Sequence, residues 1–318
     1  MITFFKSTAE GFSPQSENNK EVDWLMVEMP TTEDIKYLLS AYDLPKDYLT
    51  SVLDEKENAR AEGNWHDSTK RAALILIEYP FASVSPSGYM QLETYPFVMI
   101  RTTNNKIITI SDKPADFINK IKLEPYTGNE LSFQSYLLFR VLWHISKNYN
   151  NFLTKIIDEI NHLEGELKVA TENKQLYQMM DIQKSLVYFE SALSENLNVV
   201  NKLYNDRKHS EMIDHLPFLH DVLVEMKQGL ATTRIELKLV DQISSTFSAI
   251  VSNNLNIVMK VLTSLTVVLT IPTIIGGVYG MNVKLPFANR EDAFFWIFLV
   301  TFGLCGLVIY YLRKKNLL

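Results

Sequence analysis

Apolar and polar residues follow three different rhythms along this chain. Up to about residue 125 the pattern is short and mixed. Residues 24–29, 72–79, 91–95, 97–102 and 107–110 are rich in β-branched and aromatic side chains and are bounded by turn formers, so they predict strands. Asn104-Asn105 between the last two predicts a hairpin turn. Helices are predicted at 32–39, where Glu33 and Asp34 suit a first turn, at 46–54, and at 114–122, which opens on Pro114. The expected fold here is an α+β domain, a mixed sheet with helices, over residues 1–130; the pattern leaves its strand order open.

The second rhythm begins near residue 131, where Pro and Gly become scarce and the repeat lengthens to that of a helix. Helices are predicted at 132–170 and 174–204, with breaks at Thr171-Glu172-Asn173 and around Asn205-Asp206. A third helix opens near Pro217 and meets no stop signal before residue 279. Leu219, Leu223, Met226, Leu230, Thr233, Leu237, Val240, Ser244, Phe247, Val251, Asn254 and Val258 alternate steps of four and three, a heptad seam. At 1.5 Å per residue a helix over 217–279 is roughly 90 Å long. Such a helix needs partners along its seam, so residues 131–255 are expected to form a helical stalk.

The third rhythm is an absence of charge. No charged residue occurs over 261–279 or over 293–312, and each apolar run approaches the ~20 residues that a helix needs to cross a bilayer core. Two spans are predicted, about 257–279 and 293–312, joined by a loop at 280–292. Arg313, Lys314 and Lys315 follow the second, which places the tail at 313–318 and the amino terminus in the cytoplasm under the positive-inside rule. Residues 1–6 show no basic or sustained apolar leader pattern, so no secretory signal is expected. Trp296, Tyr310 and Tyr311 suit the interfaces, and a multi-pass location in the cell membrane, in contact with lipid bilayer, follows.

The two spans differ in texture. Asn256, Met259, Leu262, Thr266, Thr270, Thr273 and Gly277 fall on one face of the first at spacings of three and four, and that face is mainly small or hydroxylated. Small residues also serve close helix packing, so the stripe alone leaves two readings. The second span is bulky, with Phe294, Phe295, Trp296, Phe298 and Phe302, as expected of a helix facing lipid. Pro272 removes one backbone donor from the first span, and nearby Thr side chains are expected to satisfy the freed group. Gly280 is expected to let the chain leave the helix with positive φ.

Charge narrows the partners. The chain has 31 Lys/Arg and 37 Asp/Glu; residues 256–318 hold six of the former and two of the latter, so the remainder carries a net charge of −10. That balance disfavours nucleic acid and suits divalent metal ions. Cys305 is the only cysteine, which excludes an intrachain disulfide and a cysteine-rich metal site. No phosphate loop, nucleophile motif or metal-hydrolase motif supports an enzyme, and no bound cofactor is expected. His220, Asp221 and Glu225 lie on adjacent turns where the third long helix begins, and Asp221 with Glu225 is the candidate regulatory cation site.

Tyr279-Gly280-Met281-Asn282 closes the first span, follows Pro272 to Val278, and is preceded by the segment from Asn256 to Thr263. In that setting it resembles the Gly-Met-Asn signature of the CorA magnesium transporter family. The likeness is specific over about 250–318 and one of plan over 1–215. It implies a funnel-shaped homopentamer with five first spans around one axis, Mg²⁺ as substrate with Co²⁺ and Ni²⁺ accepted, and Mg²⁺ as regulatory ligand. It implies Asn282 as selectivity filter with Gly280 and Met281 shaping it, and Asn256, Met259, Leu262, Thr270, Thr273 and Gly277 as pore-lining or gating positions. The outer loop departs from the family's acidic habit, since Lys284 and Arg290 offset Glu291 and Asp292. Two other readings stand beside this one: a zinc or other transition-metal transporter on the same scaffold, against which Met281 argues, and a signalling or enzymatic domain merely anchored by the spans.

Overall fold

The computed structural model describes the chain apart from residues 9–10, 17–21, 66–70, 127–130, 168–172, 209–215, 284, 287–289, 316 and 318. It forms two compact units, Met1–Ser244 and Ser245–Leu318. The first contains strands β1 (Ile2–Thr8), β2 (Gly11–Gln15), β3 (Trp24–Glu28), β4 (Arg60–Glu62), β5 (Ala73–Val84), β6 (Met90–Arg101) and β7 (Ile107–Ser111). They make one seven-stranded sheet in the order β2-β1-β3-β7-β6-β5-β4. Only the β3–β7 pairing among these is parallel, so the sheet is mixed as predicted.

Alternation along the strands sends side chains to two buried faces. Leu25, Val27, Leu74, Leu76, Val98, Ile100, Ile108 and Ile110 share one core with Leu38, Leu49 and Val52 of helices α1 (Thr32–Tyr42) and α2 (Lys46–Thr50) and the 3₁₀ turn Ser51–Leu53. The opposite face carries Tyr79 and Phe97, whose rings meet Phe117 of α3 (Phe117–Lys122) at 5.8 and 5.3 Å. Helices α4 (Phe133–Leu167) and α5 (Asn173–Lys208) cover the same face. Thr31 caps α1 through a reciprocal box with Asp34, consistent with the acidic first turn read from the sequence.

Several boundaries differ from the sequence pattern. Three strands, β1, β2 and β4, were not predicted, and the two strands predicted at 91–95 and 97–102 form the single strand β6, Met90–Arg101, through Pro96. Glu78 lies opposite Pro96, and its N–H points away from β6, donating to Asn196 instead of to the ladder. Pro96 therefore sits where its missing N–H would also face out of the pair, and the ladder loses nothing. Pro114 does not open α3; Asp116 is its N-cap, and Pro114 lies in the connection before it. The expected break at Asn205-Asp206 is absent, because α5 continues to Lys208. Of the break expected at 171–173, Thr171 and Glu172 lie outside the described residues, while Asn173 begins α5.

Beyond Leu76 strand β5 outlasts β4, so its outward backbone needs another partner. The buried Asn196 of α5 supplies it: Oδ1 accepts the Glu78 N–H at 2.8 Å and Nδ2 donates to the Glu78 carbonyl at 2.7 Å. The Tyr149 hydroxyl of α4 donates to the same carbonyl at 3.1 Å. Ser185 of α5 serves Leu92 in the same way, accepting its N–H at 2.9 Å.

The last two helices are α6 (Leu216–Tyr279), unbroken over 64 residues, and α7 (Ala293–Lys314). Within the first unit α6 is tied to α4 by Lys147 and Asn150 on Glu225, and to α5 by Arg234 on Glu190 and Gln183 on Asp241. Leu219, Leu223, Met226, Leu230, Thr233, Val240 and Phe247 of the heptad seam are buried, whereas Val251, Asn254 and Val258 are exposed. Both α6 and α7 are long and apolar enough to cross a membrane.

Two outcomes follow from the β5 edge. Replacing Asn196 by Ala leaves the Glu78 amide without its partner and should cost about 1–3 kcal/mol in denaturant unfolding. The Glu78 carboxyl is raised in pKa by burial, against the hydrogen bond from Thr94 at 2.8 Å and with a further push from the charge on Glu195. A folded-state pKa above the unfolded one means that stability is lost as pH rises through the folded value. Glu78→Gln should therefore raise the melting temperature at alkaline pH, with the gain shrinking as the pH is lowered and the wild-type carboxyl becomes neutral.

Candidate functional site

The second unit brings α7 against one side of α6. Ser264 Oγ donates to the Leu317 carbonyl at 2.7 Å, Cys305 Sγ to the Val268 carbonyl at 3.8 Å, and Tyr279 Oη to the Pro286 carbonyl at 3.3 Å. Between the helices lies an apolar crevice of about 740 Å³, lined among others by Val268, Pro272, Ile275, Ile297 and Cys305. Ser264, Val268 and Ile275 thus mark the α7 side of α6.

Successive residues turn by about 100° around a helix. Counting from Ser264, the positions Met259, Leu262, Thr266, Thr270, Thr273 and Gly277 fall on the opposite side. Asn256 stands at the edge of that face. All seven are exposed, Met259 at 51% and Leu262 at 55%. The stripe predicted from spacing is consequently a face that α7 leaves uncovered.

The hydroxyls on this face have a definite polarity. Thr266, Thr270 and Thr273 donate to the carbonyls of Leu262, Thr266 and Leu269 at 2.8, 2.7 and 3.0 Å. Each hydroxyl proton is spent on the helix itself, so what remains outward is a methyl group and oxygen lone pairs. The face is uncharged, and its hydroxyls accept hydrogen bonds more readily than they donate them. The Thr side chains do not take up the group freed by Pro272, contrary to expectation; that group is the Val268 carbonyl, and Cys305 meets it.

At the end of α6 the helix tightens. Gly280 N–H still makes an α-helical bond to Gly276 at 2.9 Å, whereas Met281 N–H reaches only to Val278 at 3.2 Å, a shorter-range closure. Among the described glycines positive φ occurs at Gly11, Gly63 and Gly88, so Gly280 leaves the helix without it and the expected left-handed exit is corrected. Its need is for space instead: a Cβ there would lie 3.2 Å from the Gly276 oxygen. Met281 and Asn282 project exposed from this corner, at the carboxyl end of α6. In the loop, Asp292 accepts Trp296 Nε1 at 2.9 Å and has Arg290 at 4.0 Å; Glu291 is exposed, and Lys284 lies outside the described residues.

The candidate regulatory acids are unlike each other. Glu225 Oε1 receives Lys147 Nζ at 2.8 Å and Asn150 Nδ2 at 2.7 Å, and its side chain is 17% exposed. Asp221, one turn earlier, is exposed, as is His220. Among the described residues no three His, Cys, Asp or Glu side chains converge on a metal position. Sequence spacing placed both acids on one helix face but carried no signal for Lys147, which lies on another helix. The contact between Cys305 and Val268 was likewise unreadable from spacing.

Over 301 residues the chain is 24% identical to the cobalt/magnesium transport protein CorA of Methanocaldococcus jannaschii, a match covering 92% of this chain and 90% of that one. It is 28% identical over 182 residues to the cobalt/magnesium transport protein CorA of Thermotoga maritima, covering 57% and 52% respectively. The fold is similar to the complete structure of the CorA magnesium transporter from M. jannaschii, with a TM-score of 0.81 at 20% identity over 100% of this chain and 99% of that one. Residues 19–314 match the family described as CorA-like Mg²⁺ transporter protein, and the chain belongs to that family.

Proposed function

We propose that this chain is a passive Mg²⁺ channel, also admitting Co²⁺ and Ni²⁺, that works as a funnel-shaped homopentamer in the cell membrane with both termini in the cytoplasm. The observation that carries the reading is the division of α6 into two sides. One side meets α7; the other, with Met259, Leu262, Thr266, Thr270, Thr273 and Gly277, is uncovered and accepts hydrogen bonds without carrying charge. Five such faces around an axis would line a pore suited to a cation that keeps its water.

Mg²⁺ dehydrates reluctantly and binds carboxylates in a rigid octahedron, so a pore of carboxylates would release it slowly. The first span contains none. The outer protons of the ion's water shell can instead donate to threonine oxygens and to a ring of Asn282 amides at the mouth. Gly280 and Met281 shape that ring, and the carboxyl ends of the five helices add negative potential there. A membrane potential of 100 mV favours entry of a divalent ion by about 4.6 kcal/mol, twice the value for one charge. Met259 and Leu262 form the hydrophobic constriction that closes by dewetting, with Asn256 at its inner edge.

Cytosolic Mg²⁺ closes the channel by bridging acids between subunits. Asp221, exposed, is the ligand; Glu225 would first have to leave Lys147 and Asn150. Loss of the ion lets like charges separate the stalk helices.

Flux into liposomes tests the filter. Asn282→Ala should abolish Mg²⁺ selectivity while leaving the melting temperature unchanged; zinc-selective flux in the wild type would favour a transition-metal transporter, and no flux at all an anchored domain. Limited proteolysis tests the brake. High Mg²⁺ should protect the wild-type stalk from cleavage and should fail to protect Asp221→Ala; equal protection of both would remove Asp221 from the mechanism.

A further inference from the structure

Pro272 has no amide hydrogen, so the carbonyl four residues earlier, that of Val268, lacks its α-helical donor. Its oxygen lies 3.8 Å from the Sγ of Cys305 on α7. The crossing is specific to this position. Thr301, one turn earlier on α7, gives its hydroxyl to Ile297 of its own helix at 2.7 Å, and the three threonines of the uncovered α6 face likewise bond within their helix. Cys305 donates across the gap to the one α6 carbonyl that Pro272 has released. Val268, Pro272 and Cys305 line the same apolar crevice, where an unpaired carbonyl is costly.

Pro272 lies between the threonine-bearing turns at 266–270 and the turns that carry Gly276 to Asn282. One missing backbone bond makes this the weakest joint of the apolar part of α6. We infer that Cys305 is a positioning residue: its thiol closes the Pro272 joint against α7 and so fixes the direction in which the Gly280-Met281-Asn282 corner leaves the helix. The effect on transport rests on the channel reading given above, whereas the contact itself does not. A thiol is a weak donor, enough to stand in for the α-helical donor that the Val268 carbonyl has lost and weak enough to release it when the joint moves.

The single cysteine makes the test direct, because the S–H stretch of the full-length protein in lipid comes from Cys305 alone. The wild-type infrared band should lie at the lower frequency of a hydrogen-bonded thiol. In Pro272→Ala, where residue 272 regains an N–H for the Val268 carbonyl, the band should move toward the free-thiol position. A wild-type band already at the free position, or one that Pro272→Ala does not move, overturns the inference.

Transport supplies the second arm. Cys305→Ala should lower Mg²⁺ flux by about two- to tenfold, the range corresponding to loss of one ordinary hydrogen bond, while Cys305→Ser keeps a donor and should retain wild-type flux. Wild-type flux in Cys305→Ala, or a Ser variant as slow as the Ala one, overturns the positioning role. If the wild type carries no Mg²⁺, the channel reading fails and the infrared band alone decides the contact.

Discussion

In hydrocarbon a backbone carbonyl or amide has no water to turn to, and the architecture of the last seventy or so residues follows from that constraint. A continuous helix satisfies it, which is why α6 and α7 run unbroken through their apolar stretches. Any exception needs a local answer. Pro272 is one, and the Cys305 thiol answers it from the neighbouring helix. Tyr279 is another, with its hydroxyl turned onto the Pro286 carbonyl in the loop. Polar side chains obey the same rule: Thr266, Thr270, Thr273 and Thr301 each return the hydroxyl proton to a carbonyl four residues back.

That local economy determines what the uncovered face of α6 can recognise. A threonine whose proton is already committed has little left to donate, so it discriminates between a partner that offers protons and one that offers lone pairs. A hydrated cation offers protons, because its water oxygens point inward to the metal. A hydrated anion has the opposite orientation. The preference for cations in the proposed pore therefore needs no formal charge on the helix, and it avoids the tight binding that a carboxylate ring would impose on Mg²⁺. The carboxyl-terminal end of α6 adds a partial negative charge at the corner where Asn282 projects.

Much of this was legible in the sequence because the relevant signals are local. The heptad seam of α6, the charge-free runs and the face formed by Met259, Leu262, Thr266, Thr270, Thr273 and Gly277 are statements about spacing on one helix, and helical spacing is fixed by geometry. What stayed hidden depends on elements distant in the chain. Strand β4 has three residues and no pattern of its own; it exists because β5 offers it an edge. Pro96 looked like a strand boundary because the direction of its missing N–H depends on the pairing phase with β5. Strand β2 contains Pro14 and Gly11, both poor strand residues, and is tolerated at the end of the sheet order. The polar run at Asn205-Asp206 reads as a stop, yet α5 continues through it to Lys208.

The two candidate regulatory acids show how far a tertiary partner can separate residues that the sequence treats alike. Asp221 and Glu225 are one helical turn apart and both acidic, but Glu225 has its charge balanced by Lys147 and its oxygen engaged by Asn150. The ion pair itself is worth little, since Lys147 is 43% exposed and solvent screens it. Capturing a divalent ion at Glu225 would nevertheless exchange one cation for another and give up the short Asn150 bond to Oε1, leaving Asn150 its 3.3 Å bond to the Glu225 carbonyl, so the net gain is small. At Asp221, which is exposed, the ion would be added without displacing a partner of that kind, so no existing contact has to break before it can link neighbouring stalks. A brake that must respond to cytosolic Mg²⁺ is therefore better placed on the exposed carboxylate, with Glu225 left to fasten α6 to α4.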